Sequence, residues 1–156
     1  MAGSYSEGKT TLRNSIASRY NLINIPEQLR TLVAEQEIGS LKKLRTDTQK
    51  VTEIQLEILE RQFDEEKKAG DDFVSCRSID SVVFLVYFGA TRRPEQQSNL
   101  SILRQSPLYK EYVKWLKESI IFYILPHPSL IQSDGFRDTD YDQSLLISGS
   151  VRMLLE

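Results

Sequence analysis

Apolar positions along this chain recur at two different periods. Between Asp47 and Ala69 they return every three or four residues: Val51, Ile54 and Ile58 form one row, Leu56, Leu59 and Phe63 another, and Glu53, Glu57, Glu60, Asp64 and Lys68 fill the opposite side. That spacing predicts a long amphipathic helix, closed by Gly70. Leu12, Ile16 and Ala17 carry the same period through a first helix over Lys9 to Tyr20. Short unbroken apolar runs predict buried strands instead. These are Asn21 to Ile25, stopped by Pro26, then Phe73 to Cys76, then Ser119 to Leu125, whose continuity is that of a strand covered on both faces. Glu27 to Glu37 reads as a helix ended at Gly39, and Thr139 to Glu156 as a last helix with Thr139 and Asp142 at capping-box spacing.

One segment sets propensity against topology. Val82 to Phe88 is built of β-branched and aromatic residues, which favour a strand. A parallel strand needs a crossover of about a dozen residues, and nothing of that length separates Cys76 from Val82. The segment is therefore expected to be a buried helix starting near Ser78, followed by a mobile polar loop over Thr91 to Asn99. Alternation of helices and strands points to an α/β fold with a parallel sheet and helices on both faces.

Length and composition narrow the function classes. The 156 residues suit one domain with a real core. Twenty basic and 22 acidic residues leave a net charge of −2 without a basic stripe, so a nucleic-acid partner is not implied. The single Cys76 excludes an internal disulfide, and with the lone His127 it excludes a Cys/His zinc site. A reducing, cytoplasmic setting is expected. The longest apolar runs fall far short of the ~20 residues of a membrane span, and the N-terminus carries no basic-then-apolar leader. Cys76 itself reads as a small core residue at a strand end, and His127, between two prolines, as a loop residue.

The chemistry is concentrated at the start. Gly3-Ser4-Tyr5-Ser6-Glu7-Gly8-Lys9-Thr10 is a complete G-x-x-x-x-G-K-[ST] phosphate loop. Its glycines let several backbone N–H groups converge on phosphate oxygens, Lys9 supplies a charge to the outer phosphates, and Thr10 offers a hydroxyl to Mg²⁺. The charge at the following helix N-terminus assists both. Further along, Thr48, Gln55 and Gln62 lie at heptad spacing between the apolar rows of the long helix. Polar groups on a covered face need partners, which neighbouring backbone or a ligand cleft could supply. Gln55 is the candidate for the cleft.

Several stretches together resemble the P-loop kinase group that includes nicotinamide riboside kinase domains and thymidylate-kinase-like AAA ATP-binding domains. The resemblance is carried by Gly3 to Thr11, Pro26-Glu27 with Arg30, Glu53 to Leu56, Arg77-Ser78 with Asp80, and Asp134 to Asp138. It covers nearly the whole chain as a single domain over residues 1–156, and it implies a three-layer, P-loop kinase-like parallel sheet. It further implies that ATP with Mg²⁺ sits on Gly3, Ser6, Gly8, Lys9, Thr10 and Thr11, with Thr10 on the metal. GTP is the other nucleotide the loop could hold. An acceptor, a nucleoside, nucleotide or nicotinamide riboside, would be held by Glu27, Arg30, Gln55 and Arg77. Glu27 would orient or deprotonate its hydroxyl, and Lys9 and Arg137 would stabilise charge on the transferring phosphoryl group.

Bland readings stand beside these. Glu27 could complement the first turn of its helix, Arg30 could be solvated, and Arg137 could pair with Asp134 or Asp138 in a turn. Three departures from the family pattern also bear on activity. Cys76 stands where many relatives have an acid, and a thiol is a poor ligand for a hard cation. The strand ahead of the phosphate loop and a final strand after the last helix are both expected to be missing. The rival expectations are a catalytically degenerate ATP-dependent regulator and a fragment of a longer ATPase, the latter prone to self-association through its incomplete sheet.

Overall fold

The computed structural model describes residues 1–2, 8–36, 48–77, 101, 103–130 and 141–156. Helix α1, Lys9–Tyr20, has the expected bounds. Asn21, in the left-handed region at φ 54°, ends it and turns the chain into strand β1, Ile23–Ile25. Pro26 and an extended Glu27 (φ −64°, ψ 126°) separate β1 from α2, Gln28–Glu35. Helix α2 is shorter at both ends than the Glu27 to Glu37 expected: Glu27 stays outside it as the extended flanking residue, and Gln36, at φ −92° and ψ 8°, ends it. Helix α3, Thr48–Ala69, is the long amphipathic helix, and Gly70 at φ 71° closes it before β2, Phe73–Ser75.

The next helix, α4, Pro107–Lys117, is one that the sequence analysis left unassigned. Its start is chemically explicit: Ser106 Oγ accepts from the Tyr109 amide at 3.1 Å, and Pro107 occupies the first turn, where it loses no helical hydrogen bond. A 3-10 turn, Pro128–Leu130, and the last helix α5, Tyr141–Leu155, complete the described elements. The expected helix over Val82 to Phe88, the loop over Thr91 to Asn99 and the capping residue Thr139 lie outside the described residues, as do Glu37 and Gly39.

β1 and β2 pair in parallel, with Ile23 opposite Phe73 and Ile25 opposite Ser75. On the far side of β2 stand Met1 and Ala2. The Met1 amino group donates to Ser75 O at 2.8 Å and the Arg77 amide to Met1 O at 3.1 Å. Ala2 repeats the pattern outward, donating to Phe122 O at 2.9 Å and accepting from the Ile124 amide at 3.0 Å. These are the slanted, evenly spaced bonds of parallel pairing, so two residues join β2 to the segment around Tyr123.

That segment corrects an expectation. Ser119 to Leu125 is not a strand covered on both faces: it makes one isolated bridge, Tyr123 to Ala2, and Ile120 and Leu125 are 85% and 66% exposed. Among the described residues the pairing is confined to the bonds that Ala2 makes with Phe122 and Ile124.

Packing divides into clusters on either side of these strands. Leu59, Phe63, Leu103 and Tyr112 are buried between α3 and α4, with the Phe63 and Tyr112 ring centroids 4.7 Å apart. Ala2, Ile147 and Val151 join α5 to the two-residue rung, while Met1, Ala17 and Val74 hold α1 on the sheet. Ile54 and Ile58 are buried as their row predicts, but Leu56 is 39% exposed, which corrects its assignment to a covered row. α4 covers that row at Leu59 and Phe63. Among the described residues no helix is long and apolar enough to cross a membrane.

Candidate functional site

Gly3 and Ser6 lie outside the described residues, and the phosphate loop enters the structure at Gly8. Gly8 sits at φ 76°, and a Cβ there would meet nothing within 4 Å. Backbone conformation rather than crowding therefore requires glycine. No side chain caps α1 at Gly8, and no acidic residue occupies its first turn. The first turn of α1 thus carries N–H groups and a positive helix end with no side-chain cap at Gly8, the arrangement that accepts phosphate. Lys9 is buried at 5% exposure, while Thr10 and Thr11 are exposed. An uncapped N-terminus, an open left-handed glycine, a buried ammonium and an exposed hydroxyl form a donor set that fits a nucleotide phosphate with Mg²⁺.

One turn beyond Lys9 lies a residue that sequence reasoning missed. Arg13 is buried at 7% exposure, donating from Nη1 to Ile25 O at 3.3 Å and from Nη2 to Asn14 Oδ1 at 3.0 Å. Asn14 Oδ1 also accepts from Asn24 Nδ2 at 3.0 Å. The signal was present in the spacing: Lys9, Arg13 and Ala17 recur every four residues and are the buried residues of α1.

The strand ends supply the rest. Glu27 lies just beyond the carboxyl end of β1 and Arg77 just beyond that of β2, the edge where open parallel sheets bind ligands. The structure brings them into contact: Arg77 Nε is 2.5 Å from Glu27 Oε1, with side chains only 5% and 9% exposed. Arg77 also holds a left-handed backbone at φ 72° without being glycine. A non-glycine residue there costs roughly 1–2 kcal/mol, which the surrounding contacts must offset. Cys76, 1% exposed, precedes it as a core residue. Arg30 falls within α2, and Arg137 lies outside the described residues.

Gln55 is half-buried, and Gln62, its heptad neighbour, is the glutamine drawn into a buried polar cluster. Gln62 Nε2 donates to Glu66 Oε1 at 3.2 Å, Ser75 Oγ to the same oxygen at 2.7 Å, and Tyr112 Oη to Glu66 Oε2 at 3.1 Å. Burial pushes the Glu66 carboxyl above its ordinary range, against the opposing pull of these donors and the Met1 amino group. Glu66 extends the Ile54, Ile58, Gln62 row by one more turn, a position from which its burial could have been read.

Glu66 also borders a cavity of about 450 Å³ together with Met1, Leu22, Phe73, Trp115 and Ile121. Its lining takes in Leu22, ahead of β1, and the whole of β2 from Phe73 to Ser75, but neither Glu27 nor Arg77. Among the described residues no cluster of His, Cys, Asp or Glu is arranged to hold a metal.

A protein-family model described as an AAA domain matches residues 1–156. No curated protein and no solved structure matches the chain.

Proposed function

The chain belongs to the AAA domain family, and from that membership we propose that it is a P-loop domain of the small-molecule kinase type. Nucleotide binding by a P-loop NTPase domain comes with the family, whose members usually bind Mg²⁺ with the nucleotide. The finer reading is that the γ-phosphoryl group of ATP passes to a nucleoside, nucleotide or nicotinamide riboside-type acceptor, within a three-layer kinase-like arrangement.

The observation that carries it is the buried Glu27–Arg77 pair at the carboxyl edge of β1 and β2, the edge at which α1 begins. In this reading the N–H groups at the start of α1 and the Lys9 ammonium hold the ATP phosphates. Bound Mg²⁺, held by Thr10 and phosphate oxygens, would offset charge between the phosphates. Glu27, oriented by Arg77, accepts the hydrogen bond of an acceptor hydroxyl and points its oxygen at the γ-phosphorus. As the new O–P bond forms, the bond to the bridging oxygen of ADP breaks and the hydroxyl proton leaves toward the Glu27 carboxylate. Arg30, Gln55 and Arg137 are proposed to complete the acceptor and phosphoryl contacts.

A regulator that binds ATP without turnover is a second reading, favoured by the buried thiol of Cys76 where an acid would assist the metal. Titration calorimetry of the native chain and Lys9→Ala with Mg·ATP tests the nucleotide reading. Saturable binding weakened at least about 100-fold in the variant is expected, from the loss of a charge-assisted phosphate contact. Equal binding by the two chains, or none by a folded native chain, would sink it. A nucleoside screen with ADP detection then separates kinase from regulator: acceptor-dependent ADP release supports the first, and ATP binding without it the second.

A further inference from the structure

Among the described residues, the buried Arg13 guanidinium pairs with no carboxylate. At 7% exposure its charged partners would be expected to be anionic, yet among the described residues it bonds only the Ile25 carbonyl and the Asn14 side chain, and its Nε has no partner. Such a group is retained at a cost unless it does something a buried apolar residue would not.

Its position says what. Through Arg13 and Asn14 the second turn of α1 is tied to Asn24 and Ile25, the last two residues of β1. Two residues further on is Glu27, which Arg77 ties in turn to the end of β2. We propose that Arg13 is a positioning residue: it braces the carboxyl end of β1 against the phosphate-loop helix, so that nucleotide held at the start of α1 orders the Ile25 to Glu27 segment. The inference rests on the nucleotide reading above and adds that the two halves of the site are mechanically coupled.

The brace is short and rigid. A planar guanidinium spanning a backbone carbonyl and a side-chain amide fixes both distance and orientation, which a lysine ammonium with its flexible stem does less well. Asn14 Oδ1 serves as a shared acceptor for both Arg13 and Asn24, so the strand is gripped at two successive residues. Any shift of α1 on closing over phosphate is then carried to the segment leading into Glu27 and not absorbed by side-chain rotation.

Amide hydrogen exchange on the native chain, Arg13→Ala, Arg13→Lys and Asn24→Ala, each with and without Mg·ATP, reads this directly. In the native chain Mg·ATP should slow exchange in peptides covering 9–13 and also in those covering 24–28. In Arg13→Ala the slowing at 9–13 should persist while that at 24–28 falls by about tenfold or more, with Arg13→Lys intermediate. Asn24→Ala, which removes only an exposed side chain, should weaken the same response without unfolding the protein. Without nucleotide, Arg13→Ala should exchange faster at 24–28 and unchanged along α3. Equal nucleotide-dependent slowing at 24–28 in native and Arg13→Ala chains overturns the brace. So does unchanged nucleotide-free exchange there. Failure of the native chain to bind Mg·ATP would instead overturn the nucleotide reading, and the nucleotide-free comparison would still decide whether Arg13 holds the strand end.

Discussion

Arg77 and Glu27 show what a residue's type and place in a motif reveal and what they leave hidden. Both were expected as site residues, Arg77 from its place at a strand end, where parallel sheets face ligands, and Glu27 from the family resemblance. Their pairing was not legible, because it depends on β1 and β2 lying side by side in register, with Ile25 opposite Ser75. Arg13 was invisible for a different reason: a single arginine in a helix reads as solvated, and only the four-residue spacing from Lys9 argued otherwise. The pair carries a stability prediction. Both side chains are almost fully buried, so removing one takes a close opposite charge away from the other. Arg77→Met should destabilise by about 3–5 kcal/mol, whereas Glu27→Leu/Arg77→Met together should cost less than Arg77→Met alone, since neither buried charge then loses its close counterpart. Urea unfolding of the two single variants and the double variant measures this. A double variant as unstable as the sum of the singles would mean that the two side chains do not interact.

At the scale of elements, the periodic helices were the readable part. The bounds of α1 and α3 follow from apolar spacing and from residues that accept a left-handed backbone, Asn21 and Gly70. Helix α4 was readable but went unread: its apolar residues, Leu108, Tyr109, Tyr112, Val113, Trp115 and Leu116, recur at helical spacing along one face. Its Ser-Pro start is a second helix signal in the same stretch. Ser119 to Leu125 failed the other way. Continuous apolar character predicted a covered strand, but pairing needs a neighbour, and the two residues Met1 and Ala2 supply one rung. Helix α4 yields the test. Ser106 Oγ satisfies the otherwise orphaned Tyr109 amide, so Ser106→Ala should cost about 1 kcal/mol and Ser106→Asp should largely restore it. Denaturant midpoints decide. An alanine variant as stable as the native chain would show that water replaces the cap without loss.

On the scale of the whole molecule, one buried carboxyl joins pieces far apart in the chain. Glu66 on α3 accepts from Ser75 on β2 and Tyr112 on α4, so α3 is fastened to the sheet and to α4 through a single group. Burial outweighs those donors and raises its pKa above the ordinary 4.5. The folded state therefore binds this proton more tightly than the unfolded chain does. The stability it contributes is fully present below the unfolded value of 4.5 and is lost as pH rises through the raised folded value. A neutral amide of the same shape removes the titration. Glu66→Gln sets an amide nitrogen against hydroxyl donors, so at low pH it should be less stable than the native chain, by roughly 1–2 kcal/mol for a mismatched buried hydrogen bond. Raising the pH should erode that deficit at no more than about 1.4 kcal/mol per pH unit, the slope of one proton. Urea midpoints of both chains across a pH series beginning below 4.5 give the difference curve. Converging curves are the expected result. Parallel curves would mean that Glu66 titrates alike in the folded and unfolded chains, and that the three elements meet around a group whose charge is indifferent to folding.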